Sequence, residues 1–265
     1  FANGLIFGGV WGLSSMLRRS MRFENRGSLS VQCPRLFPYS TDFYRAIFRF
    51  METTSTPAHR GSFVPETAFG VWFLRTHTWE HHVLRVAIND LKRLMPTPLP
   101  AAPVMVDVGC GQGISFRLLE QAFAPQRIIG VDCHGPSLEA AHQSARAIGT
   151  PVDLLHGDCA ALPLPDACAD IVFCHQTFHH LVEQERALAE FRRILKPGGV
   201  LLFAESTDAY IKSWVIRLLF RHPMHVQKSA DGYLQMLRAG GFQFEPRHVS
   251  LPYLWWSRAA DFGLF

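Results

Sequence analysis

Between Val104 and Glu205 the chain alternates short apolar runs with longer segments whose apolar residues recur every three to four positions. The short runs Val104–Val108, Arg127–Val131, Val152–Leu155, Ala169–Cys174 and Val200–Glu205 predict buried strands. Ile114–Phe123, Pro136–Ile148 and Glu183–Leu195 predict the helices between them, with Pro136 in a first turn, and Lys196-Pro197-Gly198-Gly199 predicts a turn. That alternation builds a parallel sheet with helices on both faces. Farther on, helical spacing covers Asp208–Arg221 and Ala230–Ala239, the latter closed by Gly240-Gly241, and Phe242–Leu251 and Ser257–Phe265 predict two late strands. Upstream, Asp42–Met51 is amphipathic and Glu66–Leu94 predicts one or two helices. Residues 95–103 carry four prolines and mark a boundary, which divides the chain into an N-terminal extension and mainly helical cap, 1–103, and a sheet domain, 104–265.

Composition sets few further limits. A chain of 265 residues with 48% hydrophobic content can bury a sizeable core, and a net charge of +4 spread over scattered basic residues implies no nucleic-acid partner. Six cysteines without a CxxC pair fit a reducing, cytoplasmic setting. Cys110, Cys133, Cys159 and Cys174 each close a strand. In adjacent parallel strands the outer two stand roughly 14 Å apart, too far for one zinc with sulfurs at about 2.3 Å, so no metal is expected. Phe1–Leu17 is apolar and is followed by Arg18, Arg19 and Arg22. It fits neither a signal peptide nor a spanning helix; it stands as a segment packed on the protein, a candidate for peripheral membrane contact, or a disordered leader.

The chemistry begins at VMVDVGCGQG, Val104–Gly113, where a strand runs into glycines at 109, 111 and 113. Glycine lets backbone approach a ligand closely, and the N–H groups of the following helix open into the same loop. The spacing GxGxG lacks the third glycine of the dinucleotide fingerprint, and no lysine follows to hold phosphates. Ligands of open α/β sheets bind beyond the carboxyl ends of the strands. There Asp132, nineteen residues past Gly113, can accept hydrogen bonds from a ribose, and Asp158 can meet an adenine amine. Together they point to an adenosine without a phosphate chain.

These residues resemble the class I S-adenosylmethionine-dependent methyltransferases, most closely the branch acting on quinones and other small molecules. VMVDVGCGQG is similar to the family's first motif, IIGVDCHGPSLEAA to its acidic second strand, HGDCAALPLPDACADIVFCHQTFHHL to its third and fourth strand motifs, and ALAEFRRILKPGGVLLFAES to its helix, turn and fifth strand. The resemblance implies a Rossmann-like, doubly wound seven-stranded sheet of order 3-2-1-4-5-7-6 with strand seven antiparallel. It also implies S-adenosyl-L-methionine as cofactor, with Asp107, Gly109, Cys110, Gly111 and Gly113 flanking its methionine part, Asp132 on the ribose, and Cys133, Asp158 and Cys159 around the adenine. Cys174 and His175 would face the methionine chain and sulfonium.

The implied activity is methyl transfer to O, N or C of a hydrophobic, aromatic or quinone-like small molecule. Two alternatives share the fold: a cyclisation or rearrangement guided by the cofactor, and a non-catalytic cofactor-binding protein. A base is needed only if the acceptor must lose a proton. His175 and His179 are the candidates, ahead of His180, Glu205 and Asp208, although His179-His180 also resembles a structural pair common in the family. Acceptor contacts are expected from Trp72, Trp79, Glu80, His81 and His82 on one side, and from Tyr210, Trp214, Phe220, Tyr253, Trp255 and Trp256 on the other.

Overall fold

The computed structural model describes residues 5–8, 64–95 and 100–251. The amphipathic stretch 42–51, residues 96–99 of the proline-rich boundary, Tyr253, Trp255, Trp256 and the last expected strand lie outside the described residues. Seven strands form one sheet: β1 (Leu5–Gly8), β2 (Val104–Val108), β3 (Arg127–Asp132), β4 (Val152–His156), β5 (Ala169–His175), β6 (Leu195–Ala204) and β7 (Val249–Ser250). Their order is β4-β3-β2-β5-β6-β1-β7, and every pairing is parallel.

Five central strands therefore stand in the expected order, and the far edge differs. Leu5–Gly8 lies beside β6, with Leu5 opposite Leu201, where an antiparallel strand was expected. The late strand Phe242–Leu251 shrinks to the two residues of β7. Phe242 is drawn into the core and Pro246, which has no N–H to give a ladder, opens a 3₁₀ turn, Pro246–His248. The expected turn at Lys196–Gly199 lies inside β6, where these four residues bulge opposite Asp170 between the pairs Ala169–Leu195 and Ile171–Val200.

Because side chains alternate along a strand, the sheet has two apolar faces. One carries Val106, Val172, Cys174, Leu201 and Phe203 against α6 (Gln184–Ile194) and α9 (Ala230–Ala239). The other carries Met105, Ile128, Ile171, Phe173 and Leu202 against α3 (Arg85–Leu94) and α4 (Ser115–Phe123). The remaining helices are α1 (Ala68–Phe73), α2 (His77–Trp79), which runs through a π turn (Glu80–Leu84) into α3, α5 (Gly135–Arg146), α7 (Asp208–Ile211) and α8 (Trp214–Leu219). The single helix expected over Asp208–Arg221 is thus two short ones, broken at Lys212-Ser213. Among the described residues no helix is long and apolar enough to cross a membrane.

Leu84, Ile88 and Leu91 of the cap share one core with Phe116 and Leu119 of α4. Leu91→Ala is expected to cost about 2–5 kcal/mol and to lower the midpoint of a single denaturation transition of the whole domain. A sheet domain that unfolds at an unchanged midpoint, with only the cap lost earlier, would contradict that shared core.

Candidate functional site

The carboxyl ends of β2, β3 and β5 open into one cleft roofed by the cap. At the end of β2 the chain passes through Gly109, Gly111 and Gly113 at φ of 72°, 53° and 71°, backbone that side-chain-bearing residues rarely adopt. The glycines do different work. A Cβ on Gly109 would strike the Thr177 side chain and one on Gly113 the Phe116 ring, whereas one on Gly111 would meet nothing within 4 Å. Gly111 presents bare backbone to the cleft, as a closely seated ligand requires.

Asp132 holds this loop open. Its Oδ2 accepts the Gly111 N–H at 2.8 Å, its Oδ1 accepts the His134 N–H at 2.8 Å, and its carbonyl accepts the Gly157 N–H at 3.1 Å. One residue thereby ties the loops after β2, β3 and β4. Asp107, on the buried face of β2, accepts the Ser115 hydroxyl at 2.5 Å; burial pushes its carboxyl up to about 7. Burial likewise raises the Cys110 and Cys159 thiols and takes Cys133 to about 12, so these sulfurs are neutral, small packing groups and not thiolates.

At the end of β5, Phe173 and His175 face the cleft, their rings stacked at 6.0 Å between centroids, and Trp79 of the cap stands 5.6 Å from the His175 ring. Burial lowers His175 to about 4, leaving a neutral imidazole at physiological pH. Gln176, at φ 52°, turns the chain into the 3₁₀ turn Phe178–His180. The fully buried Glu205 holds that turn: Oε1 accepts the N–H groups of Thr177 and Phe178 at 2.7 and 2.6 Å, and Oε2 meets His179 Nδ1 at 2.5 Å. The segment Val64–Pro65 closes the side: the Val64 N–H donates to the His180 carbonyl at 3.2 Å, and the Val64 carbonyl meets His180 Nδ1 at 3.1 Å. Beside it, burial raises Glu66 to about 8.

Of the residues singled out from sequence, Asp107, Gly109, Cys110, Gly111, Asp132, Cys133, Cys159 and His175 line the cleft. Four do not. Gly113 packs over Phe116, Asp158 caps its own turn through the Ala160 N–H, and His179 is turned to Glu205. Cys174 lies on the opposite sheet face from its neighbour His175, its sulfur 3.8 Å from Glu205. Trp79 reaches the cleft, while Trp72 and Trp214 are half exposed or more on the outer surface. Val64, Glu66, Gln112, Ser115, Gln176 and Thr177 line it without having been expected. Ser115 was findable, since it opens the helix after the glycine loop; Val64 and Glu66 sit in a stretch with no pattern to mark them.

Residues 106–203 match the family described as Methyltransferase domain. Over 199 residues the chain is 31% identical to a malonyl-acyl-carrier-protein O-methyltransferase of Methylococcus capsulatus, covering 71% of this chain and 67% of that one. It is 33% identical over 115 residues to a demethylmenaquinone methyltransferase of Thermus thermophilus, covering 43% and 52%. The chain spans about half the length of the first curated relatives it matches. Among solved structures, the 4+2 cyclase SpnF shares the fold at a TM-score of 0.50 and 24% identity, covering 76% of this chain and 68% of that one.

The two glycines make a direct test of the cradle. Gly109→Ala adds a collision to left-handed strain and should destabilise by clearly more than the about 1–2 kcal/mol expected of Gly111→Ala, which carries the strain alone. Equal thermal shifts for the two variants would contradict the arrangement.

Proposed function

We propose that this chain, which belongs to the class I S-adenosylmethionine-dependent methyltransferases, transfers a methyl group from that cofactor to O, N or C of a hydrophobic small molecule. The observation that carries the reading is the convergence of bare Gly111 backbone, the Asp132 carboxylate, the Cys133 and Cys159 side chains and the neutral His175 ring on one cleft. These polar groups and packing surfaces suit a nucleoside with no phosphate chain: three acids, no lysine and small thiols. In this reading Asp132 would hold the ribose, Cys133 and Cys159 would pack the adenine, and Asp107, Gly109, Cys110 and Gly111 would take the methionine part. Gly113, Asp158 and Cys174 would support the site from behind.

When bound, the cofactor supplies a methyl group already activated on a sulfonium, so the protein's task is alignment and exclusion of water. Trp79, Phe173, Leu84 and Val71 give the remaining wall an apolar surface, which favours an aromatic or quinone-like acceptor. His175 has too low a proton affinity to be a well-matched base near pH 7; we assign it to accept a hydrogen bond from the acceptor and fix its angle of approach. Glu66, protonated at neutral pH, is suited to donate one. His179 would act through the turn it anchors. Residues 1–103 would then serve as the cap and 104–265 as the catalytic domain. A reducing cytoplasm suits the five free cysteines of the described residues, with peripheral membrane contact through the N-terminal segment as a route to a lipophilic acceptor.

The activity test is transfer of a tritiated methyl group from S-adenosylmethionine to a panel of alkyl hydroquinones and fatty acids. Solvent-extractable label with equimolar S-adenosylhomocysteine is expected from at least one acceptor; intact labelled cofactor beside a rearranged acceptor would oppose the reading. A second prediction follows from Asp107. A group raised to about 7 is protonated below that pH, and the cationic methionine part of the cofactor favours the carboxylate. Binding should expel a proton, and affinity should fall roughly tenfold per pH unit below 7. Calorimetry at pH 6 in two buffers of different ionisation heat should register that proton for the native chain and none for Asp107→Asn; identical native heats would refute the linkage.

A further inference from the structure

Three histidines gather behind the cleft wall from separate parts of the chain. His179 and His180 lie in the turn after β5, and His222 follows α8. Their ring centroids are 4.4, 5.0 and 4.8 Å apart, and one nitrogen of each lies within 4.8 Å of the others. Gln227 fastens the loop carrying His222 to the turn, donating to the carbonyls of His179 at 2.7 Å and Pro223 at 3.0 Å.

The hydrogen bonds these rings make are as telling as their proximity. His179 Nδ1 is engaged by the Glu205 carboxylate and His180 Nδ1 by the Val64 carbonyl at 3.1 Å, which places the proton of each ring on Nδ1 and leaves the Nε2 lone pair free. Among the described residues no hydrogen bond engages either Nε2 or either ring nitrogen of His222. Three imidazoles from separate parts of the chain, brought together with nitrogens left over, are the donor set that zinc-type ions take. A carboxylate and a carbonyl holding the outer nitrogens of two histidines is the support that metal-bound imidazoles receive.

We propose that His179, His180 and His222 bind one divalent transition-metal ion of the zinc type. Imidazole nitrogens sit about 2.0–2.1 Å from such an ion, which in a tetrahedral site sets them roughly 3.3 Å apart. Binding an ion would draw together nitrogens that now lie within 4.8 Å of one another. Three protein ligands leave one coordination position open. His180 also lines the cleft, so that position borders the acceptor space, where the ion would take an oxygen ligand from an acceptor hydroxyl or carbonyl and lower the charge on that oxygen. The sequence alone led to the expectation of no metal, because it weighed the four strand-end cysteines and because His222 is 42 residues away from His180 in the chain.

The test uses the tag-free full chain, stripped with a chelator and titrated with Co²⁺, whose visible absorption reports coordination geometry. One equivalent should bind with intense tetrahedral bands that Zn²⁺ erases. His222→Ala and the volume-conserving His222→Gln should each weaken binding at least 100-fold. His81→Ala, in the separate His77, Glu80 and His81 group, should leave it unchanged. Either folded His222 variant retaining native Co²⁺ affinity, or a native chain that takes up no Co²⁺, overturns the proposal.

Discussion

Glu205 is a carboxylate with no exposed surface, placed where β6 ends and the cleft begins. A buried charge is tolerated only when donors surround it. Here two backbone N–H groups, the His179 ring and the Cys174 thiol supply them. The consequence reaches past stability. Because Thr177 and Phe178 are fixed to Glu205, the chain after β5 must turn sharply at Gln176, and that turn holds His175 toward the cleft and His179 away from it. The same turn brings His180 against Val64 and so draws the cap onto the site.

Asp132 plays the corresponding part on the other side of β2. It spends both carboxylate oxygens on backbone, so the glycine loop is preorganised before any ligand arrives. Between the two acids lies the parallel sheet, whose register places the ends of β2, β3 and β5 side by side. The cleft is therefore a product of strand order, with Glu205 and Asp132 setting the backbone at its two margins.

Legibility in the sequence follows the same physics. Strands buried on both faces read as apolar runs, so β2, β3 and β5 are visible within about a residue; the partly buried β4 is too, β6 begins five residues before the predicted Val200, and helices with one apolar stripe are equally plain. The cleft-facing glycines and Asp132 are visible because their role is backbone geometry, which leaves a mark on residue type. What escapes is what tertiary packing decides. Cys174 and His175 are neighbours in the chain yet occupy opposite faces of β5, as strand alternation requires. The late strand reads as ten residues and Pro246 leaves two, while a four-residue apolar run at the other end of the chain takes the place beside β6. His222 carries no local pattern that would join it to His179 and His180; only the fold does.

In the proposed reading the family's generic core and this chain's own walls would divide the work, the glycine loop and Asp132 serving the cofactor and the cap serving the acceptor. Asp132 and the glycine loop are the proposed cofactor site, and equilibrium dialysis of labelled S-adenosylmethionine against the native chain and Asp132→Ala tests that role. Saturable one-to-one binding, displaced by S-adenosylhomocysteine and weakened at least tenfold in the folded variant, is the predicted result, since each charge-assisted hydrogen bond lost is worth about 1.5–3 kcal/mol. Undiminished binding by a folded Asp132→Ala protein, or no saturable binding by the native chain, would contradict it.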